Sequence, residues 1–158
     1  PQEFLSLRFY RLHPKKGNEK ALLGYLNSTL MSFFLETLGN KSLGQGVLDF
    51  FMADFLSLRV PIIINNEISS DFDLLSNRLI GNVWKEVGYA ESPSGSITIN
   101  PLEDRKSLDE VIFDAIGLSS EERNSLYEEL IKMVDDRLKK ASSLSTKRTA
   151  KQLSELEW

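Results

Sequence analysis

Between Gly39 and Gly46 the sequence Gly-Asn-Lys-Ser-Leu-Gly-Gln-Gly sets two amides (Asn40, Gln45), an ammonium (Lys41) and a hydroxyl (Ser42) among three glycines in eight residues. Glycines at this spacing let the backbone take φ > 0 and come close to another surface, so a tight, polar, exposed loop is expected. These side chains supply hydrogen-bond donors and acceptors, but no base stands beside a nucleophile. The loop is suited to holding a partner, not to cutting one.

The other residues with chemical potential are poorly placed for catalysis. The carboxylate pairs Glu121/Glu122, Glu128/Glu129 and Asp135/Asp136 lie in a helical pattern interleaved with basic residues, which reads as a solvated face and not as a catalytic dyad. His13 is the single histidine and sits beside Pro14; with no cysteine in the chain, a zinc site is not expected. The lack of cysteine also removes disulfides and thiolate nucleophiles and fits an intracellular, cytoplasmic protein.

The 158 residues, 41% of them hydrophobic, suffice for one ordinary core or for a domain with a helical appendage. No window approaches a membrane span, and the N-terminus has no signal-peptide pattern, so no membrane partner is expected. The chain starts at Pro1, which we read as a piece of a longer polypeptide. Its net charge of −4 is unevenly spread. Residues 1–65 hold seven basic and five acidic side chains (+2), residues 66–117 four and ten (−6), and residues 118–158 eight of each. The N-terminal third is the part suited to an anionic partner.

The elements that must position the loop follow from periodicity and punctuation. Phe4 to Leu12 reads as a strand that carries Arg8 and Arg11, and Lys15-Lys16-Gly17-Asn18 as a basic turn. Glu19 to Leu38 has helical spacing, interrupted at Asn27-Ser28-Thr29 by a capping or bending feature and closed by Gly39. After the loop, Val47–Phe51 is expected as a strand, Asp54 as part of a helical turn, and Val60–Ile64 as a strand beginning near Pro61. A helix from Ser70 or Asp71 to Val87 follows, with Trp84 as an anchor against the core.

Gly88 to Lys106, with Ser-Pro-Ser-Gly-Ser, reads as linker. Ser107 with Glu110, and Ser119 with Glu122, each match the capping-box pattern and open two helices separated by Gly117, the second running to about Ala141. The expected fold class is therefore α+β: a small mixed sheet with packed helices, then a C-terminal antiparallel helical hairpin. The expected units are 1–88 (an α+β recognition-like unit), 89–106 (a linker or mobile loop) and 107–158 (hairpin and tail).

The blocks Tyr25-Leu-Asn-Ser-Thr-Leu, Leu38-Gly-Asn-Lys-Ser-Leu-Gly-Gln-Gly-Val-Leu-Asp-Phe, Asp54-Phe-Leu-Ser-Leu-Arg-Val-Pro and Leu108-Asp-Glu-Val-Ile-Phe-Asp-Ala-Ile-Gly-Leu, running on to Arg137-Leu-Lys-Lys-Ala, resemble a known family. That family is the N6-adenine DNA methyltransferases, including the fused type IIG restriction-modification enzymes; the resemblance is to their C-terminal target-recognition region and helical tail. It spans about two thirds of the chain. The Asn/Asp-Pro-Pro-aromatic catalytic motif is absent, since Asn100-Pro101-Leu102 lacks the second proline and the ring, and neither a glycine-rich S-adenosylmethionine loop after a strand nor a Pro-Asp…Glu-x-Lys nuclease cluster is present.

The resemblance thus implies a DNA-reading module without catalytic motifs of its own. Its implied partners are double-stranded DNA and the catalytic methyltransferase portion of the parent, which would bring S-adenosylmethionine. Under it, Arg8, Arg11, Lys15, Lys16 and Lys41 grip phosphates, Asn40, Gln45 and Arg59 reach base edges, and Ser42 completes the loop's contacts. The competing expectation is a protein–protein docking domain with no nucleic-acid contact.

Overall fold

The computed structural model describes residues 19–41, 46–58 and 67–155, with backbone alone at 67–69 and 145–155. Among the described residues, seven helices and one two-stranded antiparallel sheet make an α+β arrangement dominated by helix. The expected strands at 4–12 and 60–64 lie outside the described residues.

Helix α1 (Glu19–Leu26) and α2 (Thr29–Leu38) divide one apolar run in two. The break is local chemistry: Asn27 Nδ2 donates to the Leu23 carbonyl at 2.8 Å, and Ser28, extended at ψ 162°, caps α2 by accepting from the Met31 amide at 3.2 Å. Helix α3 (Met52–Ser57) follows, with the Asp54 carboxylate accepting from the Phe51 amide at 2.9 Å.

The strand expected over Val47–Phe51 is not formed. A single bridge joins Asn40 to Asp49, and Val47 and Phe51 stay exposed, with no neighbouring strand among the described residues to pair the rest.

The helix expected from Ser70 or Asp71 to Val87 is two pieces, α4 (Glu67–Ser76) and the one-turn α5 (Val83–Glu86). Asn77, Gly81 and Asn82 supply turn chemistry between them, and Asn82 caps α5 through the Lys85 amide at 3.0 Å. Leu79, which follows the break, is 93% exposed as a result.

Residues 89–106, expected as linker, are structured. Strands β1 (Ala90–Glu91) and β2 (Ile97–Thr98) pair antiparallel around a Ser92–Ser96 turn, and the base is closed by Asn100 N to Gly88 O and Leu102 N to Glu86 O. Helix α6 (Glu103–Ile116) begins four residues before Ser107, with Glu103 and Asp104 at its positive end. Ser107 caps nothing; its hydroxyl donates to Asp71 of α4 at 3.0 Å, and Glu110 pairs back with Lys106.

Gly117 ends α6 at φ 74°, and the second capping box forms as written: Ser119 N donates to Glu122 at 2.8 Å and Glu122 N to Ser119 Oγ at 3.3 Å. Helix α7 (Ser120–Glu155) then runs 36 residues, past the expected end near Ala141.

One core takes side chains from both sides of 89–106. Tyr25 (α1), Met31 (α2), Leu75 (α4), Val87, Leu108, Ile112 and Phe113 (α6) and Tyr127 and Ile131 (α7) form a single buried cluster. Phe113 and Tyr127 meet edge to face, with centroids 5.8 Å apart. Helices α6 and α7 therefore share one core with α1, α2 and α4. Among the described residues no helix is long and apolar enough to cross a membrane.

Candidate functional site

The glycine loop leaves α2 and returns toward α3. At its start Asn40 and Lys41 are adjacent and exposed. Its two sides are tied by Asn40 N to Asp49 O at 2.7 Å and Asp49 N to Asn40 O at 3.0 Å. Of the nine residues expected to contact DNA, these two are placed; Arg8, Arg11, Lys15, Lys16, Ser42, Gln45 and Arg59 lie outside the described residues.

The loop's far end rests on α7. Gly46 has φ +73°, and a Cβ there would come within 3.2 Å of Leu138 and 3.3 Å of Ala141. Its carbonyl accepts from Arg137 Nη1, while Arg137 Nε donates to both oxygens of Glu36 at 3.1 and 2.9 Å and Nη2 donates to Glu36 Oε1. Glu36 and Arg137 did not stand out by motif. The available signal was Glu36 itself, the one charged residue in the mostly apolar Thr-Leu-Met-Ser-Phe-Phe-Leu-Glu-Thr-Leu of α2.

A buried polar node lies deeper. Asp109, fully inaccessible, accepts from the Thr29 amide at 2.8 Å, the Thr29 hydroxyl at 2.5 Å and the Tyr127 hydroxyl at 3.0 Å. Burial pushes the Asp109 carboxyl up, and the same burial, with the Asp109 charge beside it, pushes the Tyr127 phenol far up. Arg105, also buried, donates to the Asn27 carbonyl and pairs with Glu86 at 3.3 Å.

Glu86 is in turn gripped by Arg78, whose Nη1 and Nη2 donate at 2.8 and 2.7 Å, while Arg78 Nε reaches Asp104 at 2.6 Å. Two arginines and two carboxylates thus bind the 77–82 turn, α5 and α6 together. A bidentate arginine satisfies a buried carboxylate in a way that a point charge cannot.

This network has a pH signature. The Arg78 hydrogen bonds hold Glu86 at about 2, against an ordinary 4.5, despite its burial, and Asp104 is lowered chiefly by the same guanidinium. A lowered native pKa gives stability that is present above the unfolded value and lost as pH falls through the native one. For Glu86 the window is 4.5 down to about 2, worth roughly 3 kcal/mol. Asp109 runs the other way: burial raises its pKa, so the native state keeps the proton longer and the stability it lends declines as pH climbs above 3.8. In urea titrations, the gap between wild type and Glu86→Gln is expected to shrink steadily from pH 5 to pH 2 by about that amount. A constant gap would show that Glu86 does not hold its pairs as described.

Trp84 anchors its turn as expected, with its ring against the core and Nε1 donating to Asp135 at 3.2 Å. Around that contact Tyr89, Ile97 and Ile131 floor a shallow cavity of about 270 Å³. Its rim includes Glu128, Glu129 and Asp136 interleaved with Lys132 and Lys139, and Lys132 pairs with Glu129 at 3.2 Å.

No family model, no curated protein and no solved structure matches the chain.

Proposed function

We propose that this chain is a sequence-specific DNA-recognition module, the C-terminal target-recognition region of an N6-adenine DNA methyltransferase or restriction-modification enzyme, acting in the cytoplasm. One observation supports the reading above all. The Tyr25-Leu-Asn-Ser-Thr block and the Leu108-Asp-Glu block, two of the motifs that together carry the resemblance, meet through Thr29 and Asp109 in one buried node. The recognition-like helices and the helical tail then act as one unit that presents the loop at Asn40 and Lys41.

On this reading Arg8, Arg11, Lys15, Lys16 and Lys41 bind phosphates, Asn40, Gln45 and Arg59 address base edges, and Ser42 completes the loop's contacts. Methyl transfer from S-adenosylmethionine belongs to the catalytic portion of the parent. Fluorescence anisotropy of a mixed-sequence duplex at about 50 and 200 mM salt tests this. Wild type is expected to bind and to weaken steeply with salt, and Lys41→Glu to weaken binding across sequences and flatten the salt slope by about one. Binding indifferent to both salt and Lys41 would refute the loop's role.

A second reading, protein docking, is favoured by one feature. Leu38, Val47, Phe51, Met52 and Leu56, the last 75% exposed, leave apolar surface open between α2 and α3. No duplex binding at low salt would turn the assignment to that surface.

A further inference from the structure

We infer that Arg137 is a positioning residue for the recognition loop: from α7 it holds both limbs of the loop in one geometry, through Glu36 on the incoming side and the Gly46 carbonyl on the outgoing side. The inference rests on the DNA-reading function proposed above, and it makes the helical tail part of the reading apparatus.

The geometry leaves little freedom. Arg137 lies 101 residues from Glu36 and 91 from Gly46 in sequence, yet one guanidinium reaches both. Its side chain is 16% exposed and that of Glu36 is 6% exposed, so the pair is shielded from competing water and salt. Nε and Nη2 occupy the carboxylate, which leaves Nη1 directed at the loop backbone. A lysine can match the charge but, with all its donors on one nitrogen, cannot keep the two-nitrogen grip on Glu36 while a third nitrogen serves the Gly46 carbonyl.

Gly46 adds a steric constraint. At φ +73°, with the Leu138 and Ala141 side chains under it, the loop end lies flat against the turn of α7 that follows Arg137. The incoming limb is fixed independently, since Gly39 N donates to Leu35 O at 2.9 Å and Asn40 pairs with Asp49. Lys41 therefore projects from a frame whose two sides are joined by the Asn40–Asp49 pair and, against α7, by Arg137. Such support from behind a contact surface sets the geometry of the contacting residues without touching the partner.

The test compares wild type, Arg137→Lys and Glu36→Gln in the full chain by amide hydrogen exchange and by duplex anisotropy. In both variants exchange at residues 46–50 is expected to rise on the order of tenfold, while amides of Leu108–Phe113 keep their protection. Duplex affinity is expected to fall about fivefold or more with an unchanged salt slope, because no phosphate contact is removed. Exchange that rises equally in the loop and at Leu108–Phe113, or in neither, would overturn the inference by making Arg137 a general stabiliser or a bystander. Local loosening of the loop, with wild type failing to bind any duplex, would uphold the positioning role while overturning its use in DNA reading.

Discussion

Asp109→Ala is expected to lower the stability of this protein by about 3–5 kcal/mol, a large share of the 5–15 kcal/mol typical of a domain. The loss comes from what the substitution leaves behind. The Thr29 amide, the Thr29 hydroxyl and the Tyr127 hydroxyl all donate to this one carboxylate, and none has water within reach in the core. Each buried donor without a partner costs about 1–3 kcal/mol. Asp109→Asn keeps the shape and one acceptor oxygen but turns an NH₂ toward a donor. Because burial already disfavours the carboxylate charge, the amide is expected to cost less, about 1–2 kcal/mol. Urea unfolding followed by circular dichroism at pH 7 gives both values. An Asp109→Ala variant within about 1 kcal/mol of wild type would mean that the node contributes little.

Gly88→Ala is the second large effect, expected at about 2–4 kcal/mol. Two separate penalties combine at this position. The backbone sits at φ +58°, which a side chain rarely adopts, and a Cβ would lie 1.8 Å from the Asn100 carbonyl oxygen and 2.5 Å from its carbon. The chain cannot ease the clash cheaply, since Asn100 N donates to Gly88 O at 3.3 Å and Leu102 N to Glu86 O at 3.1 Å. Moving the β1–β2 hairpin away breaks both bonds and pulls on Glu86, the carboxylate shared by Arg78 and Arg105. Thermal unfolding measures the loss. A near-neutral Gly88→Ala would show that the hairpin base is loosely held.

What could be read in the sequence was what depends on neighbours three or four residues away. Ser119 with Glu122, Gly117, and the Asn27-Ser28-Thr29 interruption all behave as their local chemistry dictates. The same capping pattern at Ser107 and Glu110 misled, because Asp71, 36 residues upstream, takes the serine hydroxyl, and Glu103 and Asp104 start the helix earlier. The helix drawn through to Val87 failed for a similar reason. Apolar spacing does not register that Arg78 must turn back to meet Glu86 and Asp104. At the loop, glycines and amides marked the exposed side, while its supports, Glu36 and Arg137, are joined only by the fold. The serine-rich stretch after Gly88 looked like a spacer on composition, yet it closes on itself as a hairpin.

The Thr29–Asp109 contact spans 80 residues, and a ribosome adds residues one at a time. At about 5–20 residues per second, roughly 4–16 s separate the emergence of Thr29 from that of its partner. Over that interval Tyr25 and Met31, and Leu75 once it has emerged, have no α6 to cover them. Helices α1, α2 and α4 must wait as an unsealed half-core, open to chaperones or to one another in neighbouring nascent chains. This core can close only once α6 has emerged, and a message broken before the codon for Leu108 yields a product that cannot seal it.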